Sequence, residues 1–184
     1  MNVSDYLAYF AACREEYDAV IHFTISSDMS GCYQNACIAA KEFTNVYPVD
    51  SRNLSTGIGH LVLNAAEMAE QGMDAADIAS ALEKKREKLD VSFVIDTLEY
   101  LKRGGRISKT VAFAGGLLSI KPVVTIQDGE IALIGKARGS RQGNNLLVEK
   151  IHACGGIDFQ LPILLGYTGL SDAFLRKYVD DSRA

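Results

Sequence analysis

Residues 18–50 read DAVIHFTISSDMSGCYQNACIAAKEFTNVYPVD, and their order decides the fold. Residues 19–25 (AVIHFTI) form a short apolar run rich in branched side chains, the pattern of a buried strand. A polar loop with one glycine follows at 26–31, and residues 33–43 then place Ala36, Ala39, Ala40 and Phe43 for packing along a helix. NVYPV at 45–49 is a second short strand, closed by Asp50 and Ser51. Strand, polar loop, helix, strand is a βαβ unit, so the two strands are expected to run parallel. Ligands of open parallel sheets gather at the carboxyl ends of the strands, where the serine loop and Asp50 both fall.

Outward from this unit, Ser4 is the expected cap of a helix running to residue 16, with Tyr6, Leu7, Phe10 and Ala11 as its apolar stripe. Downstream, the loop RNLSTGIG leads to a helix over 60–71 that stops at Gly72, and Asp74 caps another that ends in the solvated run EKKREK. These alternating elements predict an α/β domain with a small parallel sheet over residues 1–90. Past Asp90 the texture changes. VSFVI is a strand, and VVTIQDGEIALIG is a hairpin turning at Asp128 and Gly129. Residues 139–152 read as a helix with Leu146, Leu147 and Ile151 inward, LPILLGY (161–167) as a strand, and Ser171 as the cap of a last helix. A second, mixed α/β domain is therefore expected over 91–184.

The stretch 97–122, TLEYLKRGGRISKTVAFAGGLLSIKP, joins a cationic turn to an apolar wall. Gly104 and Gly105 stop a helix and permit positive φ, Arg106 follows, and Ser108 caps a second expected helix over 109–117 whose first amides favour an anion. Taken alone, the same letters also fit a helix end, a surface arginine and ordinary core. Between Glu99 and Arg141 there are eight basic residues against three acidic ones, a local excess of five in a chain whose net charge is −4. With no interleaved aromatics and no nucleic-acid motif, this zone points to a small anion or an acidic partner surface, not to nucleic acid.

A hydrophobic content of 48% with 23% charged residues suits a soluble globular chain. No apolar run approaches the roughly 20 residues of a membrane span, and MNVSDYLAYF lacks the basic start and apolar core of a signal peptide, so a cytoplasmic location is expected. Cys13, Cys32, Cys37 and Cys154 include no C-x-x-C pair, which argues against disulfides and zinc; neither metal nor cofactor is expected. GGRISKT lacks the glycine before the lysine and the upstream strand that a phosphate-binding P-loop needs. Gly57-x-Gly59 lacks the third glycine of a dinucleotide turn and is read as a loop glycine pair. Ser26, Ser27 and Ser30 invite a hydrolase reading, but no G-x-S-x-G elbow is present and His22 falls inside a buried-strand pattern. The loop SSDMSG instead offers hydroxyls and glycine-freed amides to a carboxylate.

TISSDMSGCYQNA, VDSRNLSTGIGHLVLNAA, TLEYLKRGGRIS, LLSIKPVV, DGEI and KARG, in this order, resemble the DegV family of bacterial fatty-acid-binding proteins, over about residues 2 to 170. The resemblance implies two α/β domains with a lipid held between them, no catalysis, and for some members service as the acyl-carrying subunit of a fatty-acid kinase. Carried over, it makes Ser30 and Gly31 ligands of a long-chain fatty-acid carboxylate, sets Arg106 near that carboxylate, and gives Arg138 a role in engaging the kinase subunit. Phe113, Leu117, Leu118 and Ile120 would border the acyl chain. Against the family pattern the chain lacks the opening strand, the T-S-x-P-S loop and the H-T-G-P-G segment, which suggests truncation at both ends and edges open to self-association. Asp28 stands where a neutral residue is usual and would repel an anion if it pointed inward. A small α/β hydrolase or transferase using the serine loop, and a lipid-free interaction fragment, remain the alternatives.

Overall fold

A computed structural model describes residues 1–107, 120–159 and 161–183. The chain divides into two compact units, Met1–Val91 with Ile126–Ile131, and Ser92–Thr125 with Ala132–Ala184. In the first, α1 (Val3–Glu16) precedes β1 (Val20–Thr24), α2 (Cys32–Ala40), β2 (Val46–Asp50), α3 (Thr56–Glu70), α4 (Ala75–Lys85) and a 3-10 turn at Arg86–Lys88. β1 and β2 pair in parallel, in register from Val20 opposite Val46 to Thr24 opposite Asp50. Because side chains alternate along a strand, the pair buries both faces. On one side Val49 packs with Leu61, Ala65, Met68, Ile78 and Leu82 of α3 and α4, with Ile21 and Phe23 against them. On the other, Val46 and Val20 meet Tyr6 and Phe10 of α1 and Ala36 and Ala39 of α2.

Several element ends differ from the sequence expectation for local reasons. The cap of α1 is Asn2, not Ser4: the Asn2 side chain accepts from the Asp5 N–H at 2.9 Å while the Asp5 carboxylate accepts from the Asn2 N–H at 2.8 Å. This reciprocal pair satisfies two amides where a serine would satisfy one. Gly57 and Gly59 lie inside α3 rather than in a loop. A Cβ on Gly57 would sit 2.3 Å from the Asn53 Oδ1, so glycine there admits the asparagine side chain.

His22 on β1 packs edge-on against Tyr6 and Phe10, with ring centroids 5.2 and 5.3 Å away. Burial holds its imidazole below the ordinary 6.5. The neutral ring is the native form, so this group costs nothing above 6.5. As pH falls below that value the unfolded chain takes up the proton first, and stability is lost. Urea unfolding at pH 7.5 and pH 5.5 should therefore show a steeper acid loss for the natural chain than for His22→Phe; equal slopes would remove histidine burial as the cause.

The second unit holds β3 (Ser92–Val94), α5 (Glu99–Arg103), most of β4 (Ile120–Gln127) and β5 (Glu130–Arg138), α6 (Gly139–Ala153) and α7 (Ala173–Arg183). Its sheet has the order β3-β4-β5, with Ser92 opposite Thr125 and Val94 opposite Val123 in an antiparallel pair. α6 lies close on this sheet because Gly143 has no side chain: a Cβ there would be 3.2 Å from a Val94 methyl. The cap of the last helix is Asp172, whose carbonyl accepts from the Arg176 N–H at 2.9 Å, one residue after the expected Ser171, whose hydroxyl accepts from the Ala173 N–H at 3.2 Å. The strand expected at 161–167 does not form. Those residues join no ladder, and Leu161, Ile163, Leu165 and Tyr167 are exposed. An apolar run becomes a strand only where a neighbour takes its backbone groups, and the described sheet pairs only β3, β4 and β5. The second helix expected in the cationic stretch, over 109–117, lies outside the described residues.

Candidate functional site

Parallel pairing brings the carboxyl ends of β1 and β2 to one edge, and α2 and α3 begin just past it. The loop between β1 and α2 is built around Ser26, which is wholly buried. Its N–H donates to the Asn53 carbonyl at 2.9 Å, and its own carbonyl accepts from the N–H groups of Met29 and Ser30 at 3.0 and 3.1 Å. Asp50 ties this loop to the next one. One carboxylate oxygen accepts from the Ser27 N–H at 3.1 Å and from the Arg52 N–H at 2.9 Å. The Asp50 carbonyl accepts from Arg86 Nη1 at 2.7 Å. A buried carboxylate is tolerated when amides surround it in this way, and Asp50 is only 5% exposed.

At the mouth of the loop, the Ser30 hydroxyl accepts from the Cys32 N–H at 3.3 Å, and its proton can turn either to the Cys32 sulfur or to a ligand. Gly31, the residue before α2, has φ −71 and ψ 5, a conformation open to any residue, and a Cβ there would meet nothing within 4 Å. The first amides of α2 have no partner inside the helix and carry the positive end of its dipole. A hydroxyl proton, an unshielded glycine amide and a helix start together suit a small anion. The Cys32 thiol feels the same setting: hydrogen bonding with Ser30 draws it below its ordinary value, against burial, and Tyr6 adds to the effect.

The turn of the β4–β5 hairpin lies against this loop within the same compact unit. Arg52, held at φ 47, extends its guanidinium to Asp28, with Nη1 3.2 Å from Oδ2, and donates through Nη2 to the Asp128 carbonyl. Gly129, at φ +84, fits below: a Cβ would sit 2.5 Å from the Asp28 carboxylate and 2.8 Å from the Ser26 hydroxyl. The charge of Asp28, which the sequence left as a threat to anion binding, is paired with Arg52.

Of the residues expected to act, Ser30 and Gly31 stand together where β1 passes into α2. Arg106 and Arg138 belong to the second unit. Arg106 follows Gly105, whose φ is +69, and its guanidinium donates to the Gly104 carbonyl. Arg138 is exposed at the end of β5, and its N–H donates to Gln142 Oε1 at 2.7 Å. Ile120 opens β4 and, with Leu98 and Pro122, lines a depression of about 360 Å³ that also carries Asp96, Lys102 and Lys136. Phe113, Leu117 and Leu118 lie outside the described residues. His22, one of the bases considered for a hydrolase, is occupied in the aromatic cluster of α1. Asp50 was marked by its strand-end position, whereas nothing local marked Arg52 or the turn glycine Gly129 as neighbours of the site. Among the described residues no group of His, Cys, Asp and Glu could hold a metal ion. No described helix is long and apolar enough to cross a membrane.

A sequence-family model described as uncharacterised proteins of the DegV family matches residues 1–181. The chain belongs to the DegV family. A DegV domain-containing protein of Caldanaerobacter subterraneus is 35% identical over 157 residues, which cover 84% of this chain and 56% of that protein. Among solved structures, a fatty-acid-binding DegV protein from Thermus thermophilus shares 36% identity at a TM-score of 0.73, covering 83% of this chain and 55% of that one. A DegV lipid-binding protein from Thermotoga maritima shares 32% at 0.75, with 84% and 54% covered. The fatty acid kinase B3 protein of Streptococcus pneumoniae, loaded with linoleic acid, shares 25% at 0.74, with 84% and 56% covered. The chain thus spans about half the length of the DegV relatives it matches. The α/β fold of this chain, with a small parallel sheet and a second antiparallel one flanked by helices, matches the part of these structures that it covers.

Proposed function

We propose that this DegV chain binds a long-chain fatty acid without altering it chemically and presents the carboxylate to a kinase subunit. The observation that carries the reading is the loop at 26–31, which sets the Ser30 hydroxyl and the bare Gly31 amide at the start of α2, beyond the carboxyl end of a parallel strand. Support also comes from solved relatives that hold fatty acids, one of them a fatty acid kinase B protein. In this reading Ser30, Gly31 and Arg106 bind the head group, and Phe113, Leu117, Leu118 and Ile120 border the tail. Burial of the tail at about 0.8 kcal/mol per methylene dominates affinity, and the head-group contacts set its orientation. A cytoplasmic location follows from the same proposal, since the phosphate donor of a kinase is found there.

Mass spectrometry of an organic extract of the purified protein tests the reading first. A stoichiometric long-chain fatty acid supports it; an empty protein that also takes up no oleate on titration ends it. Two variants then separate the proposed roles. Arg106→Ala is expected to weaken oleate binding by about 1 to 3 kcal/mol, the range of a charge-assisted hydrogen bond. Arg138→Ala should bind oleate normally and yet reduce phosphoryl transfer to it by the kinase subunit. Unchanged affinity in the first, or unchanged transfer in the second, removes that residue from the proposal.

A further inference from the structure

The loop that offers donors to an anion also carries a carboxylate of its own. Asp28 lies two residues before Ser30, with its N–H on the Ser26 hydroxyl at 3.3 Å. An uncompensated negative charge so near a carboxylate site would oppose the ligand. At a separation of about 6 Å and an effective dielectric constant of about 40, the repulsion amounts to about a tenfold loss of affinity. The structure answers this charge with Arg52 from the neighbouring strand-end loop, 3.2 Å from Asp28 Oδ2. The Arg52 backbone is tied through its N–H to the Asp50 carboxylate, and its guanidinium also donates through Nη2 to the Asp128 carbonyl. Neither partner is deeply buried, with side chains 36% and 41% exposed, so as a stabilising ion pair the contact is worth little.

We propose that Arg52 is a positioning residue of the carboxylate site, neutralising and holding Asp28 so that the donors of the serine loop face the ligand without an opposing charge. The inference rests on the fatty-acid reading above and adds what makes an acidic serine loop compatible with it. Arg52 acts through Asp28, not on the ligand. Its effect is accordingly conditional: it vanishes when Asp28 carries no charge, and it is felt by a carboxylate but not by a neutral head group.

The test is a set of titrations of the natural chain and of R52Q, D28N and R52Q/D28N, with oleate and with oleyl alcohol. R52Q should bind oleate about tenfold more weakly and oleyl alcohol as before. D28N should bind oleate at least as tightly as the natural chain, and the double variant should regain the affinity that R52Q lost. Retained alcohol binding shows that R52Q is folded. If R52Q loses oleate and alcohol alike, or if the double variant stays weak, Arg52 is a structural residue or a direct ligand, and the inference fails while the fatty-acid reading stands. A natural chain that binds no oleate overturns both, and that outcome is distinct from either of the others.

Discussion

Gly129→Ala should destabilise the first compact unit by about 3 kcal/mol, several times the effect of the same change at Gly72. The two glycines share a left-handed backbone, with φ +84 at Gly129 and +80 at Gly72, so the conformational penalty of about 1 kcal/mol is common to both. They differ in surroundings. A Cβ on Gly72 would meet nothing within 4 Å, whereas on Gly129 it would meet the Asp28 carboxylate at 2.5 Å and the Ser26 hydroxyl at 2.8 Å. Ser26 cannot yield easily, being wholly buried and holding three backbone hydrogen bonds. Forcing such a contact adds about 1 to 3 kcal/mol. The contact falls on the serine loop, so the proposed fatty-acid binding should fall with stability. Urea unfolding of both variants decides the matter: if Gly129→Ala costs no more than Gly72→Ala, the hairpin turn does not dock as described.

This docking shows where sequence reasoning stops. The strand-loop-helix order of β1 and α2, the partner strand β2 and the turn at Asp128 and Gly129 each announced themselves by periodicity or by turn chemistry, because those signals are local. That the turn would be drawn into the first unit, and meet an arginine 76 residues earlier, depends on how the chain closes and leaves no local trace. The same limit explains residues 161–167. Their apolar letters match a buried strand, but periodicity reports what a segment could bury and not whether a neighbour is there to cover it. Boundaries failed for a smaller reason. Asn2 and Ser4 are both good caps, and the choice fell to Asp5, which can answer Asn2 across one turn. For the site, residue types pointed to the serine loop and to Asp50, and the resemblance to the DegV family singled out Ser30 and Gly31 within that loop. The balance of Asp28 against Arg52 needed three-dimensional structure, since only a distance distinguishes a repelling carboxylate from a paired one.

Gly31→Val is expected to leave stability nearly unchanged while binding falls, and that separation distinguishes a ligand site from a packing site. At φ −71 the backbone does not call for glycine, and with nothing within 4 Å of the added Cβ no neighbour excludes a side chain. Removing a glycine from a compatible position narrows the unfolded ensemble, an effect of about 0.4 to 1 kcal/mol, but Gly31 is also the cap of α2, a position where glycine is preferred to a β-branched residue, and the two effects oppose each other. By folding criteria alone, the glycine is not required at the start of α2. It becomes intelligible if a ligand atom approaches the amide closely, as the proposed carboxylate would. Valine there would shield the amide and crowd the Ser30 hydroxyl, removing charge-assisted hydrogen bonds worth about 1.5 to 3 kcal/mol before any steric cost. Oleate affinity should then drop by about 3 kcal/mol, more than a hundredfold, in a protein whose urea midpoint stays close to that of the natural chain. Gly129, by contrast, should lose both properties together. If Gly31→Val keeps its affinity, the head group does not sit at the start of α2, and the site must be sought on other elements. If it loses stability along with affinity, the open space beside Gly31 is filled by the protein itself, and the glycine is there for packing.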